Sequence, residues 1–274
     1  MNKLKGKFEF RKTPYLCGFV LFILWMPNTV IAQSNSGKTL MAIFAHPDDE
    51  STVAPILTKY AEEGVKVHLV IVTDGRLGTN EYSDYEAGDA LAAVRRKEMQ
   101  CAADILGVEL MHLDYEDQLK SAEGYDGHIP HVRALIKEVD DIVDEVDPDA
   151  LITFGPDGWT NHMDHRLVGA TVTQVYLHKL REKPMNLYYV GTPTDKIDDP
   201  QFKILKGQDR SYLTTQVSYS KENRDTAFKA LACHKSQFPI ESLEKMQKQR
   251  AKEEKIIYLR KFAKPSTATN SVFE

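Results

Sequence analysis

With 274 residues, 42% of them hydrophobic and 27% charged, the chain has an ordinary globular composition, sized for one large domain or two small ones, and one is expected. Its formal net charge is −5. That balance argues against a nucleic acid or an anionic membrane as partner, more so once a basic leader is removed.

The leader is residues 1–32. "MNKLKGKFEFRK" is a basic opening, and "YLCGFVLFILWM" is an apolar run too short to span a bilayer, which takes roughly 20 residues. "PNTVIA" follows, with Val30 and Ala32 as the small residues of a signal-peptidase site, so the mature chain is expected to begin at Gln33. Removing Lys3, Lys5, Lys7, Arg11 and Lys12 together with Glu9 takes the net charge from −5 to −9. The expectation is an exported protein, periplasmic or secreted, with no stable membrane span after cleavage. Cys101 and Cys233 are the cysteines left, both in helix-like segments. Buried free thiols are expected, with a single bridge in an oxidising compartment left open.

From Lys38 onward, short apolar runs alternate with longer amphipathic stretches. "TLMAIFA" reads as a strand, "ESTVAPILTKYAEEG" as a helix closed by Gly64, and "VKVHLVIVT" as a second strand. A helix follows over roughly Tyr85 to Leu106, then the strand "VELMHLDY" and the helix "HVRALIKEVDDIVDEV". "DALITFG", "HRLVGATVTQVYLHKLRE" and "NLYYVG" continue as strand, helix and strand. "ESLEKMQKQRAKEEKIIYLRKF" is expected to be one charged surface helix, and "AKPSTATNSVFE" a frayed tail. The alternation predicts an α/β fold, a Rossmann-like three-layer sandwich with a mostly parallel central sheet, forming a single domain over residues 33–274.

In such sheets the ligand crevice lies beyond the carboxyl ends of the strands. Three strand ends carry polar clusters: "HPDDE" at 46–50, "TDGRLGTNEYSDYEAGD" at 73–89 and "GPDGWTNHMDHR" at 155–166. Acids opening a helix have a simpler use, complementing its dipole for about 0.3–1 kcal/mol each, but that does not account for the His-Pro ahead of them. "HMDH" adds two histidines three residues apart at the opening of a second helix, where i and i+3 share a face. Two imidazoles and a carboxylate, with partners left over, are the ligand set of a catalytic zinc site, and the same set suits Fe2+. A metal so held brings the pKa of water to roughly 7, and a carboxylate base with a histidine electrophile would complete a hydrolase.

"AHPDDE" with a distal "HMDH" resembles the PIG-L or LmbE-like family of zinc-dependent N-acetylglucosaminyl deacetylases. "VTDG", "VRRKEMQCAADILGV" and "ALACHKSQF" are similar to the family's recurring segments, so the resemblance runs from about Thr39 to Gln237. It implies that His46, Asp49 and His165 bind the metal and that Asp48 is the general base. It further implies that His162 polarises the acetyl carbonyl and that Asp164 orients one of the histidines flanking it. Arg95 matches a substrate-pocket arginine, although an exposed helix charge paired with Glu98 would explain it equally. Asp74 and Arg76 are candidates for sugar hydroxyls, or parts of a plain turn. Trp159 is either a platform for a sugar ring or a cover for the sheet end. Where some members have a tyrosine just ahead of the second motif, this chain has Thr160, so no help from a tyrosine is expected there.

The implied activity is removal of the N-acetyl group from an N-acetylglucosamine-type conjugate, a small molecule or an oligosaccharide. A metal-dependent amidase or esterase acting on a non-sugar acyl substrate would need the same residues. A dinucleotide enzyme and a serine hydrolase are disfavoured, because neither G-x-G-x-x-G nor G-x-S-x-G occurs where it would be needed.

Overall fold

The structure, a computed structural model, describes residues 35–263. The expected leader and the expected tail from residue 264 onward lie outside the described residues.

In chain order the elements are β1 (Thr39–Phe44), α1 (Ala54–Glu62), β2 (Lys66–Thr73), α2 (Asp89–Leu106), β3 (Glu109–Tyr115), α3 (Gly124–Val146), β4 (Ala150–Thr153), α4 (Gly158–Asn161) and α5 (Met163–His178). Then come β5 (Asn186–Pro193), α6 (Pro200–Lys206), β6 (Gly207–Gln208), β7 (Thr215–Ser218), α7 (Lys221–Leu231), α8 (Ile240–Arg250) and β8 (Ile256–Lys261). The strands form one sheet in the order β3-β2-β1-β4-β5-β8-β7, with β6 beside β5. β1 to β5 are mutually parallel, whereas β8 runs antiparallel between β5 and β7.

Strand periodicity explains the three layers. Leu40, Ala42 and Phe44 of β1 face one core with Leu69 and Ile71 of β2, covered by Ile56 and Leu57 of α1, Met99 and Leu106 of α2, and Ala230 of α7. Met41 and Ile43 face the other core, under Leu135, Val139 and Val143 of α3 and Val168, Val172 and Val175 of α5. Fully burying a Leu, Ile or Phe is worth about 1.5–3 kcal/mol, against about 0–1 kcal/mol for an exposed ion pair. Burial on both faces therefore dominates, and it is why β1 and β2 read as unbroken apolar runs.

Two expectations are corrected. The C-terminal segment is not one helix: α8 stops at Arg250, and "IIYLRK" enters the sheet as β8, burying Tyr258 and Leu259. Ile, Tyr and Leu in a row suit a pleated surface between two strands, and that packing outweighs the helical propensity of the charged residues before them. Nor are the cysteines free thiols, for Cys101 of α2 is bonded to Cys233 just past α7. No helix among the described residues is long and apolar enough to cross a membrane.

The chain leaves β1 toward β2 and β3 on one side, then returns to β4 and β5 on the other. The β1–β4 boundary is thus the topological switch point, where the loops at the strand ends diverge and leave a crevice. α5 lies close over the end of β4 because Gly169 has no side chain; a Cβ there would sit 2.3 Å from the carbonyl oxygen of Phe154.

Candidate active site

His46 follows β1, and Pro47 keeps it out of helical geometry. The chain then makes one turn of 3-10 helix, Asp49–Thr52, entered through Asp48 at φ 99°. His162, Asp164 and His165 come from the loop after β4 and the first turn of α5. Adjacency of β1 and β4 brings the two motifs together across more than a hundred residues of sequence. With Leu77, Gly78, Arg95, Asp117 and Gln118 they line a cleft of about 310 Å3. Larger hollows of about 470 and 710 Å3 lie elsewhere on the surface, so it is the convergence of donors rather than size that marks this cleft.

The second nitrogen of each imidazole fixes its tautomer. His46 Nε2 lies 3.0 Å from Asp164 Oδ2 and donates to that carboxylate, which leaves a lone pair on Nδ1. His165 Nδ1 lies 3.0 Å from the Gly158 carbonyl and donates to it, which leaves a lone pair on Nε2. Those two lone-pair nitrogens sit 3.2 Å apart. Asp49 closes the triangle, with Oδ1 3.1 Å from His165 Nε2 and Oδ2 3.5 Å from His46 Nδ1.

A tetrahedral ion bonded at about 2.0–2.1 Å requires ligand-to-ligand edges of about 3.3–3.4 Å; the two imidazole nitrogens stand close to that separation, and Asp49 offers one carboxylate oxygen toward each of them. Two facing lone pairs repel unless a cation or a proton lies between them. The surroundings favour a cation there. Although burial opposes it, the hydrogen bonds to Asp164 and Asp49 raise His46 to about 10. Asp49 is held far below the usual carboxylate range, its burial outweighed by His165 and His46. Potential donors of His46, His162 and His165, and of His46, Asp117 and Asp164, also lie within 4.8 Å of one another. Asp117 and Asp164 are engaged by the Gly75, Leu77 and Gln118 N–H groups, and His162 stands exposed, so His46, Asp49 and His165 are the better fit to a divalent cation.

His162 is exposed at the mouth of the cleft. Its Nδ1 accepts the Asp164 backbone N–H at 3.2 Å, so its proton sits on Nε2, ready to donate. Burial, then the His46 and His165 charges, lower its pKa, keeping the ring neutral at neutral pH. Asp164 is fully buried, and its carboxylate reaches His46 and the Gln118 N–H, not the flanking histidines.

Asp48 stands beside the triangle without joining it. Burial pushes its carboxyl up to about 6 against the pull of Arg95. Arg95 is buried rather than exposed, bonding Asp48 Oδ2 at 3.1 Å, the Pro47 carbonyl and the Gly75 carbonyl. Glu98, its alternative partner, is taken by Ser236.

The remaining candidates are placed differently. Asp74 and Arg76 form an ion pair with each other at 2.8 Å, with Glu116 as a further partner of Arg76, and neither lines the cleft. Trp159 stacks on Phe154 at 11° between ring planes and donates to Thr192, capping the sheet end and lining the adjacent 470 Å3 hollow.

Sequence reasoning missed Asp117, which accepts the N–H groups of Gly75 and Leu77 and so shapes the wall of the cleft. It follows the end of β3, so the strand-end rule could have found it. Glu50 and His234 were also missed: both are fully buried and bonded to each other at 2.8 Å.

Residues 41–176 match the protein family described as PIG-L, GlcNAc-PI de-N-acetylase. The chain is 33% identical over 144 residues to a Corynebacterium glutamicum 1D-myo-inositol 2-acetamido-2-deoxy-alpha-D-glucopyranoside deacetylase, covering 47% of this chain and 50% of that relative. It therefore spans half the relative's length. The fold is similar to that of N,N'-diacetylchitobiose deacetylase from Pyrococcus horikoshii, with a TM-score of 0.61 and 22% identity over 82% of this chain and 84% of that one. It is also similar to GalB, the 4-carboxy-2-hydroxymuconate hydratase of Pseudomonas putida, with a TM-score of 0.59 and 16% identity over 85% and 100% of the two chains. A fold shared by a deacetylase and a hydratase does not choose the reaction; the site must. With both motifs meeting at the switch point and the family match spanning them, the chain belongs to the PIG-L family.

Proposed function

We propose that the protein is a zinc-dependent hydrolase that removes the acetyl group from an N-acetylglucosamine-type conjugate. The observation that carries this reading is the triangle of His46 Nδ1, Asp49 and His165 Nε2, with Asp48 and His162 beside it. Zinc held there supplies a Lewis-acidic centre at which water becomes a usable nucleophile near neutral pH. Asp48 takes the proton of the attacking water: a carboxyl near 6 is ionised at neutral pH yet more basic than an ordinary aspartate. His162, neutral with its proton on Nε2, donates to the acetyl oxygen as negative charge develops on it. Asp164 holds His46 in the tautomer that turns Nδ1 inward. The leaving nitrogen receives its proton from Asp48 or His162, the two acid–base groups that face the reacting amide. The corynebacterial and Pyrococcus proteins, both named as deacetylases of N-acetylglucosamine compounds, support the substrate class.

Residues 33–274, reconstituted with zinc and given a panel of N-acetylglucosamine conjugates, are expected to release acetate, with none released after chelation. Stoichiometric metal without release from any conjugate would overturn the reading.

The protein acts outside the cytoplasm in this reading, on glycans or glycosylated small molecules met there. The basic and apolar leader supports export, and so does the Cys101–Cys233 bridge, which suits an oxidising compartment. N-terminal sequencing of the exported protein is expected to begin at Gln33. A cytoplasmic product that retains Met1 would contradict it.

A further inference from the structure

Asp48 has φ 99° and ψ −19°, a backbone region that a residue with a side chain occupies only when its surroundings hold it there. Arg95 secures its carboxylate. Its backbone is secured separately, by a chain of buried contacts that the proposed reaction does not use. The Asp48 N–H donates to Glu50 Oε2 at 2.9 Å, and Glu50 Oε1 accepts from His234 Nε2 at 2.8 Å. His234 lies 184 positions away in sequence from Glu50, in the segment "ALACHKSQF".

That segment is itself anchored at several points. Cys233 is bonded to Cys101 of α2, the helix that also carries Arg95. Ser236 donates to Glu98 of the same helix through its N–H at 2.8 Å and its hydroxyl at 2.6 Å. Gln237 donates to the Gly78 carbonyl at 2.9 Å, and Asn80 donates to the Ser236 carbonyl. One short segment therefore braces the Asp48 backbone, the helix of Arg95 and the cleft wall at Gly78.

We infer that His234 and Glu50 are positioning residues: anchored by the Cys101–Cys233 bridge, His234 holds Glu50, and Glu50 holds the Asp48 peptide so that its carboxylate faces the cleft. The inference rests on the reading of Asp48 as the base. Neither residue touches substrate, and neither exchanges a proton with it. Without His234, Glu50 loses the donor that fixes its carboxylate, and the Asp48 amide loses its ordered acceptor. The base then samples other orientations, and misplacement on this scale costs about 100-fold in rate.

The test compares His234→Leu, which removes the donor, with His234→Gln, whose side-chain amide can donate to Glu50 from a similar position. His234→Leu is expected to lower kcat by about 30- to 100-fold on a conjugate the unaltered protein turns over, with KM within about twofold and zinc still stoichiometric. His234→Gln is expected to recover kcat to within about fivefold. In the metal-free proteins, hydrogen exchange at the Asp48 amide is expected to quicken at least about tenfold in His234→Leu while the β1 amides stay protected. A kcat within about threefold together with an unchanged Asp48 amide would overturn the inference. So would a uniform quickening of all amides with no recovery in His234→Gln, the mark of a merely structural role. Should the unaltered protein turn over no conjugate, the deacetylase reading fails, and the exchange comparison still decides whether the brace exists.

Discussion

Asp48→Asn is expected to lower turnover by at least about 1,000-fold while one equivalent of zinc remains bound. General-base catalysis contributes about 100- to 10,000-fold, and an amide of the same shape cannot accept the proton. The upper part of that range is expected because the site gives Asp48 no substitute: Asp49 is committed to the triangle, and Asp164 is committed to His46 and Gln118. Metal should persist because the Asp48 carboxylate bonds Arg95 rather than the triangle. Steady-state kinetics beside metal analysis of the same preparation checks both halves. Loss of zinc in parallel with activity would make Asp48 a ligand, and a rate within about tenfold of the unaltered protein would place the base elsewhere.

The same residues show what a sequence can carry. β1 and β2 were legible because strands buried on both faces are apolar almost throughout, and because "HPDDE" and "HMDH" mark strand ends with polar clusters. Once the sheet was expected to be parallel, the meeting of the two motifs followed from topology. Where long-range pairing decided the outcome, periodicity misled. "IIYLRK" carries no local sign that it will lie antiparallel between β5 and β7, and a charged helical stretch leads into it. The Cys101–Cys233 bridge depends on α2 and the end of α7 being neighbours, which spacing does not reveal. Partner choice was hidden for the same reason. Arg95 read equally as a pocket arginine or as a helix charge paired with Glu98, and only the fold decides: it is buried on Asp48 and the Gly75 carbonyl, while Glu98 is occupied by Ser236. Asp164 sits between the flanking histidines in sequence, yet the turn into α5 directs its carboxylate across the cleft to His46.

That last contact sets up a graded expectation for metal binding. His46→Ala and His165→Ala each remove one of three donor groups whose nearest approaches are 3.1–3.5 Å, and both are expected to weaken zinc binding by well over about 100-fold and to abolish turnover. Asp164→Asn removes no donor. It weakens the hold on His46 Nε2, and outer partners of this kind are typically worth about 10- to 100-fold in metal affinity, so its loss should fall between the ligand variants and Asp48→Asn. Competition against a chromophoric chelator ranks all four proteins on one scale. The order expected is Asp48→Asn near the unaltered protein, Asp164→Asn intermediate, and the two histidine variants weakest. If Asp164→Asn were as damaging as His165→Ala, Asp164 would be a ligand in its own right and the cation would lie toward Asp117 and Asp164 rather than at Asp49. If His165→Ala kept its zinc, the lone pair on Nε2 would have another purpose, and the 3.2 Å approach of the two imidazoles would need a shared proton instead of a metal.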